Sequence, residues 1–149
     1  IAGAGTGYYP AHYLAQRLRR YKMPSILIGQ DQSHQVDELF PIDENDMLIV
    51  FQYSDRDNWM KPMLSLAGER KAFRFVIAGT IKPGYVSGSD LFVHVPRGEL
   101  EFKNSMAVPM SFANMLMLSI ELGHENNAED NLRKLEKTRE DWEIWKRDK

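Results

Sequence analysis

Cysteine is absent from the 149 residues of the chain, so every use of a thiol is excluded. The sequence can form no disulfide framework, no thiolate metal site and no cysteine nucleophile. A chain without cysteine suits a reducing compartment, and we expect a cytoplasmic protein. We expect neither a metal site nor another cofactor, because the four histidines are scattered without metal-ligand spacing: His12, His34, His94 and His124.

An excess of basic charge is also missing, as is a long hydrophobic run. Nineteen lysines and arginines stand against 21 acidic residues, a formal net charge of −2, which gives no general positive field for nucleic acid. Contact with DNA would therefore need a segment outside this chain. The apolar run at residues 47–51 is far shorter than the roughly 20 residues of a membrane-spanning helix, so we expect no membrane partner.

The first residues contain no initiator methionine, no basic region and no apolar segment typical of a signal peptide. They have the composition of the end of a β-strand followed by a glycine-rich turn. We therefore expect the natural protein to continue upstream of Ile1.

What is present is an alternation of short aliphatic runs with longer segments of helical period, typical of a parallel sheet covered by helices. This pattern predicts one α/β domain over residues 1–149. The aliphatic runs predict five strands, at residues 1–4, 25–28, 47–51, 73–78 and 90–95. The helical segments are residues 9–21, 57–71, 103–122 and 127–149, with a further helical turn at 36–40.

The last two predicted helices differ sharply in composition. The first is crowded with methionine, a residue that usually fills irregular gaps in cores and interfaces rather than forming a cofactor site. The second, residues 127–149, mixes acidic and basic residues evenly, which is typical of a solvated face.

A glycine-rich loop, Gly3 to Gly7, follows the first strand and leads into a helix. Its backbone N–H groups and the hydroxyl of Thr6 could meet an anion. The loop lacks the spacing of a dinucleotide fingerprint, since Tyr8 stands three residues after Gly5, and it lacks the lysine of a P-loop. Glycines that only make the turn explain it equally well.

Four short motifs, in this order and spacing, resemble those of the sugar isomerase (SIS) domain. They are Gly-Ala-Gly-Thr-Gly at 3–7, Asp-Gln-Ser-His-Gln at 31–35, Phe-Gln-Tyr-Ser-Asp at 51–55 and Glu-Leu-Glu-Phe-Lys at 99–103. Together with the methionine-rich helix they are most similar to the effector domain of RpiR-type bacterial transcription regulators.

The resemblance implies a three-layer αβα sandwich around a five-stranded parallel sheet, doubly wound as in flavodoxin. It implies a homodimer or a dimer of dimers, and a sugar phosphate effector that controls a helix-turn-helix domain preceding this chain. It also implies a ligand site at the carboxyl ends of the strands, which is where open α/β sheets bind ligands. The candidate residues there are Gly5, Thr6, Gln52, Ser54, Asp55, Asp57, Thr80 and Glu99.

The loop after the third predicted strand departs from the family pattern, in which hydroxyl side chains hold the phosphate. Here Gln52, Ser54, Asp55 and Asp57 occupy those positions, so one hydroxyl remains and two carboxylates are added. Carboxylates repel a phosphate at short range. This favours a changed ligand, such as an amino sugar paired with Asp55 or Asp57, or a lost one.

Glu99 aligns with a glutamate that lies at the ligand site of the family and is the proton-transfer base of its isomerases. We favour a ligand contact over catalysis, and a solvated loop residue is the simplest alternative. Three functions therefore stay open: a non-catalytic effector sensor, a phosphosugar isomerase or deglycase with Glu99 as base, and a dimerisation module with a vestigial pocket.

Overall fold

Four parallel strands form the central sheet in the spatial order β1-β2-β3-β4. The computed structural model describes residues 1–29, 32–54, 59–98, 105–123 and 125–147. The strands are β1 (Ala2–Gly3), β2 (Met47–Gln52), β3 (Phe73–Ala78) and β4 (Leu91–His94). The helices are α1 (Tyr8–Arg20), α2 (Gln32–Leu39), α3 (Lys61–Glu69), α4 (Pro83–Ser87), α5 (Ala107–Gly123) and α6 (Glu125–Arg147).

Strand β2, in the middle of the sheet, packs against apolar residues on both faces. Side chains alternate along a strand, and here both sets meet apolar partners, as expected of a parallel strand covered on both faces. Leu48 and Val50 belong to a cluster that contains Met63 of α3. Phe51 belongs to a second cluster that contains Leu14 of α1, together with residues of α5. Each fully buried side chain of this size contributes about 1.5–3 kcal/mol.

Helix α1 carries its apolar residues on one face and its cations at one end. The buried face consists of Pro10, Ala11, Leu14, Ala15 and Leu18. Three arginines in the last turn stabilise the negative end of the helix dipole. One of them, Arg17, pairs with Glu121 of α5 at 2.9 Å, and so joins two helices that lie over the same face of the sheet.

The predicted five-stranded sheet has four strands instead, because residues 25–28 do not form a strand. Only Ile28 pairs, in a single parallel bridge with Ala2 on the free side of β1. The partner strand β1 spans two residues, too few for a longer ladder. Ile28 is buried in the core, whereas the side chain of Ile26 is 53% exposed, so burial holds only the end of this segment.

The other four predicted strands are confirmed, and each of their ends agrees to within one residue. Several helix boundaries differ. Helix α3 begins at Lys61 rather than at 57, with a proline in its first turn, where the missing N–H costs no helical hydrogen bond. Helix α4 lies between the fourth and fifth predicted strands, a segment for which no helix was predicted from the sequence. Among the described residues, no helix is both long and apolar enough to cross a membrane.

Candidate ligand site at the carboxyl edge of the sheet

The strand register places the four carboxyl ends level with one another. Gly3 pairs with Phe51, Gln52 with Ala78, and Ala78 with His94. The segments that follow, residues 4–7, 53–54, 79–80 and 95–98, therefore leave the same edge of the sheet. This is the edge that the sequence analysis predicted for a ligand site.

The turn after β1 needs its glycines for packing. A Cβ on Gly7 would overlap the carbonyl oxygen of Phe51, and one on Gly3 would overlap the carbonyl oxygen of Gly7. Gly5 has a φ of 57°, in the left-handed region that favours glycine. These constraints support the structural interpretation of the glycine-rich loop, and they hold Thr6 half-buried at the edge of the sheet.

Gln52 is buried at the end of β2, and its amide is engaged on both sides by protein groups. Its Nε2 donates to the hydroxyl of Tyr85 at 3.0 Å and to the carbonyl of Ser54 at 3.1 Å. Its Oε1 accepts from the indole N–H of Trp59 at 2.6 Å. The side chain therefore ties together β2, the residues after it, and α4, and its role as a ligand contact stays a prediction.

Tyr53 is held firmly beneath this edge. Its hydroxyl donates to the carbonyl of Val95 at 2.8 Å, which joins the ends of β2 and β4. Its ring lies so close to Gly79 that a Cβ there would be 3.0 Å from two ring carbons. Burial raises the pKa of Tyr53, and the nearby charge of Arg97 opposes this only in part, so the phenol stays neutral.

Arg97 connects three of the four loops. Its Nη1 donates to the hydroxyl oxygen of Thr6 at 3.0 Å, and its guanidinium carbon lies 5.7 Å from the centroid of the Tyr53 ring. That distance is typical of a cation–π contact. Arg97 was not among the residues predicted from the sequence, although its position in the segment that follows β4, at the carboxyl edge, was a signal that could have found it.

The remaining predicted residues divide into two groups. Ser54 is half-buried directly after Tyr53, and Thr80 is exposed directly after Gly79, so both lie at the same edge as Gly5 and Thr6. Asp55, Asp57 and Glu99 lie outside the described residues, and their roles stay predictions. The described edge thus offers hydroxyl groups and the guanidinium of Arg97, which suits a ligand with hydroxyls and an anionic group.

Two of the histidines are engaged by neighbouring groups. His94 lies within 3.2 Å of the carbonyl oxygen of Gly79, and His12 stacks on Tyr8 with ring centroids 5.6 Å apart. In the part of the chain that the structure describes, no group of three histidine or acidic side chains could hold a metal ion.

Comparison with known proteins gives matches by structure only. No protein-family model matches the sequence, and no curated protein matches it. The sugar isomerase domain of an RpiR transcription factor from Sphaerobacter thermophilus superimposes with a TM-score of 0.81 at 15% identity, covering 91% of this chain and 76% of that one.

Two further structures agree with this. The Vibrio vulnificus NanR protein, solved in complex with ManNAc-6P, has a TM-score of 0.75 at 17% identity; the match covers 92% of this chain and 54% of NanR, about half its length. A candidate sugar-phosphate isomerase from Listeria monocytogenes has a TM-score of 0.74 at 15% identity, covering 90% of this chain and 72% of that one. The family resemblance carried by the sequence motifs is therefore confirmed at the level of the fold: the chain has the SIS fold found in RpiR-type regulators.

Proposed function

We propose that this chain is the effector-sensing SIS domain of a transcriptional regulator and that it binds a phosphosugar or modified sugar at the carboxyl edge of its sheet. The single observation that carries the proposal is the contact of Arg97 with Thr6 above Tyr53. This contact brings together a cation from the segment after β4 and a hydroxyl from the segment after β1, which are far apart in the sequence. Support from the comparisons is the shared fold with NanR, whose structure contains ManNAc-6P.

We infer that the ligand contacts extend to the full predicted set. Thr6, Ser54 and Thr80 would bind ligand hydroxyls or phosphate oxygens, and Gly5 would bring backbone N–H groups near them. Asp55 and Asp57 would select a ligand with an amino group, and Glu99 would accept a hydrogen bond from a sugar hydroxyl. The role is binding rather than catalysis.

We infer a three-layer arrangement of helices around the sheet and a dimer formed through the outer surface of α5. The buried face of α5 consists of Pro109, Ala113 and Met117. Its opposite face exposes a second apolar set, which we call the α5 stripe: Val108, Met115, Leu118 and Leu122. An apolar stripe of this kind on an exposed helix marks an interaction surface, and a second copy of the chain would cover it.

Ligand binding would act on DNA through a segment that precedes this chain. A ligand that prefers one of two dimer arrangements shifts their populations in proportion to its difference in affinity, and so changes the placement of two attached DNA-binding domains. Neither DNA nor a membrane contacts the chain itself in this account.

A thermal-unfolding screen tests the proposal. The domain is heated with N-acetylmannosamine 6-phosphate, hexose 6-phosphates, amino sugars or the unphosphorylated sugars. A ligand at about 100 times its dissociation constant stabilises the folded state by about 2.7 kcal/mol, which raises the melting temperature measurably. Stabilisation by a phosphosugar or an amino sugar is expected, and no stabilisation by any of them would contradict the proposal and leave a dimerisation module with a vestigial pocket.

A phosphosugar isomerase or deglycase is the second candidate, because a candidate sugar-phosphate isomerase shares the fold. It requires Glu99 to remove a proton from the carbon next to a carbonyl. Turnover of a hexose 6-phosphate by the wild-type chain that disappears in Glu99→Gln would establish it. We expect no turnover in either.

A further inference from the structure

We propose that Arg97 determines the specificity of the site by binding the anionic group of the ligand through its Nε–Nη2 edge. The inference rests on the proposed function and adds to it the part of the ligand that is recognised and the residue that recognises it. The ligand class is a sugar derivative with a phosphate or carboxylate group. The anion would lie near the β1 and β4 loops rather than in the loop after β2.

The first support comes from the hydrogen bonds that the guanidinium of Arg97 forms. Arg97 donates to Thr6 through Nη1, and in the described part of the chain no other hydrogen bond from its side chain is formed. Its Nε and Nη2 form the planar edge that matches two oxygens of a carboxylate or phosphate. The same chain shows this geometry elsewhere: Arg74 donates from Nε and Nη2 to the two carboxylate oxygens of Asp90 at 3.0 and 2.9 Å.

The second support is that the guanidinium is already held in place. The ring of Tyr53 lies under it, and that ring is fixed by its hydrogen bond to Val95 and by its contact with Gly79. Thr6 holds the guanidinium by accepting a hydrogen bond from its Nη1. A side chain fixed before binding loses less conformational freedom when the ligand arrives, which increases affinity.

The third support comes from the loop after β2. The amide of Gln52, at the end of β2, is engaged by Trp59, Tyr85 and the carbonyl of Ser54. This amide is therefore already used within the protein and is not placed to hold an anion. Arg97 provides a positive charge at the same edge of the sheet, over the ring of Tyr53.

The test is isothermal titration of the wild-type chain, Arg97→Gln and Arg97→Lys with matched pairs of probes. The pairs are N-acetylmannosamine 6-phosphate with N-acetylmannosamine, and glucose 6-phosphate with glucose. The control variant is Arg70→Gln, which removes an exposed arginine at the opposite edge of the sheet, between α3 and β3. Urea unfolding of each variant shows that it is folded under the conditions of the titration.

We expect Arg97→Gln to weaken binding of the phosphorylated probe about tenfold to a hundredfold, as the loss of hydrogen bonds to a charged group implies. Arg97→Lys keeps the charge but not the planar edge, so its affinity lies between the two. Binding of any unphosphorylated probe changes by less than about twofold, because a lost bidentate contact affects only the anionic group. A merely structural role would weaken both members of a pair together.

The contrary outcomes are distinct. Equal affinity of wild type and Arg97→Gln for the phosphorylated probe would overturn the inference and leave the proposed function intact. Binding of the unphosphorylated probes alone would do the same. A folded wild-type chain that binds no probe would overturn the proposed function, and the inference with it.

Discussion

The indole of Trp59 donates a hydrogen bond of 2.6 Å to the buried amide oxygen of Gln52, and so joins the segment before α3 to the end of β2. Gln52 is 3% exposed, so no bulk water replaces this donor if it is lost. The two residues connect the centre of the sheet with the edge where the ligand site is proposed.

Trp59→Phe removes that donor while keeping an aromatic ring. We expect a loss of about 1–3 kcal/mol in the free energy of unfolding, because a buried acceptor is left unpaired. Urea denaturation followed by circular dichroism measures it. Trp142→Phe, at a position 58% exposed on α6, is the matched control and should change stability by less than about 0.5 kcal/mol. Equal losses in the two variants would contradict the role given to the Gln52 amide.

Gly7→Ala tests the packing of the turn after β1. The added Cβ would meet the carbonyl oxygen of Phe51, which is backbone and cannot move aside, so we expect a loss of about 1–3 kcal/mol or more. Gly84→Ala is the control, since nothing lies within 4 Å of the added carbon. It lies in helix α4, where alanine is favoured over glycine by roughly 0.5–1 kcal/mol, so its stability should rise slightly. Comparable melting temperatures of the two variants would refute this packing.

The Arg74–Asp90 ion pair predicts that the free energy of unfolding falls at low pH. Hydrogen bonds from Arg74 lower the pKa of Asp90 from 3.8 to about 2. The contribution of the pair to the free energy of unfolding is therefore fully present above the pKa of Asp90 in the unfolded chain. It is lost as the pH falls through the lower pKa of the folded protein. It is small, at most about 1 kcal/mol, because the side chains are 25% and 36% exposed.

Asp90→Asn should accordingly flatten the decline of stability between pH 4 and pH 2, measured by urea denaturation at a series of pH values. Asp130→Asn, at an exposed position on α6, is the control and should leave the decline as in the wild type. An unchanged decline in Asp90→Asn would show that the pair contributes nothing.

If the dimer forms through α5, a charge placed in the α5 stripe should leave the chain monomeric. Leu118→Glu should abolish self-association, because a buried carboxylate without a partner costs more than the contact gains. Val36→Glu makes the same kind of change at an exposed valine on α2 and should leave the mass unchanged. Analytical ultracentrifugation distinguishes the two results, and a Leu118→Glu variant that still associates would exclude the stripe as the interface.

The strands at the centre of the sheet were predictable because burial on both faces leaves a continuous apolar run. Residues 47–51 have such a run, and residues 73–78 have one interrupted only by Arg74; β2 and β3 match them to within one residue. Residues 25–28 have a similar run, but only Ile28 pairs, in a single bridge with Ala2. Helix α4 was missed because its five residues begin with proline and glycine, while the buried ring of Tyr85 stabilises it through tertiary contacts.

The site was predictable only in part, for a related reason. The rule that parallel strands bind ligands at their carboxyl ends predicted that Thr6, Ser54 and Thr80 lie at one edge, where the structure has them, and their role as ligand contacts stays a prediction. The link between Thr6 and Arg97 spans 91 residues and depends on the strand register, which no local pattern contains. The engagement of Gln52 by Trp59 and Tyr85 depends on tertiary packing in the same way.

The most direct test of the central claim is a measurement that locates the bound ligand on the chain. Amide resonances of the ¹⁵N-labelled chain would be followed by nuclear magnetic resonance during titration with N-acetylmannosamine 6-phosphate. We predict that the largest shifts fall on residues 5–7, 53–54, 79–80, 95 and 97, at the carboxyl edge of the sheet. Largest shifts at residues 43–45 and 69–71, at the opposite edge, or no shifts at all, would contradict it.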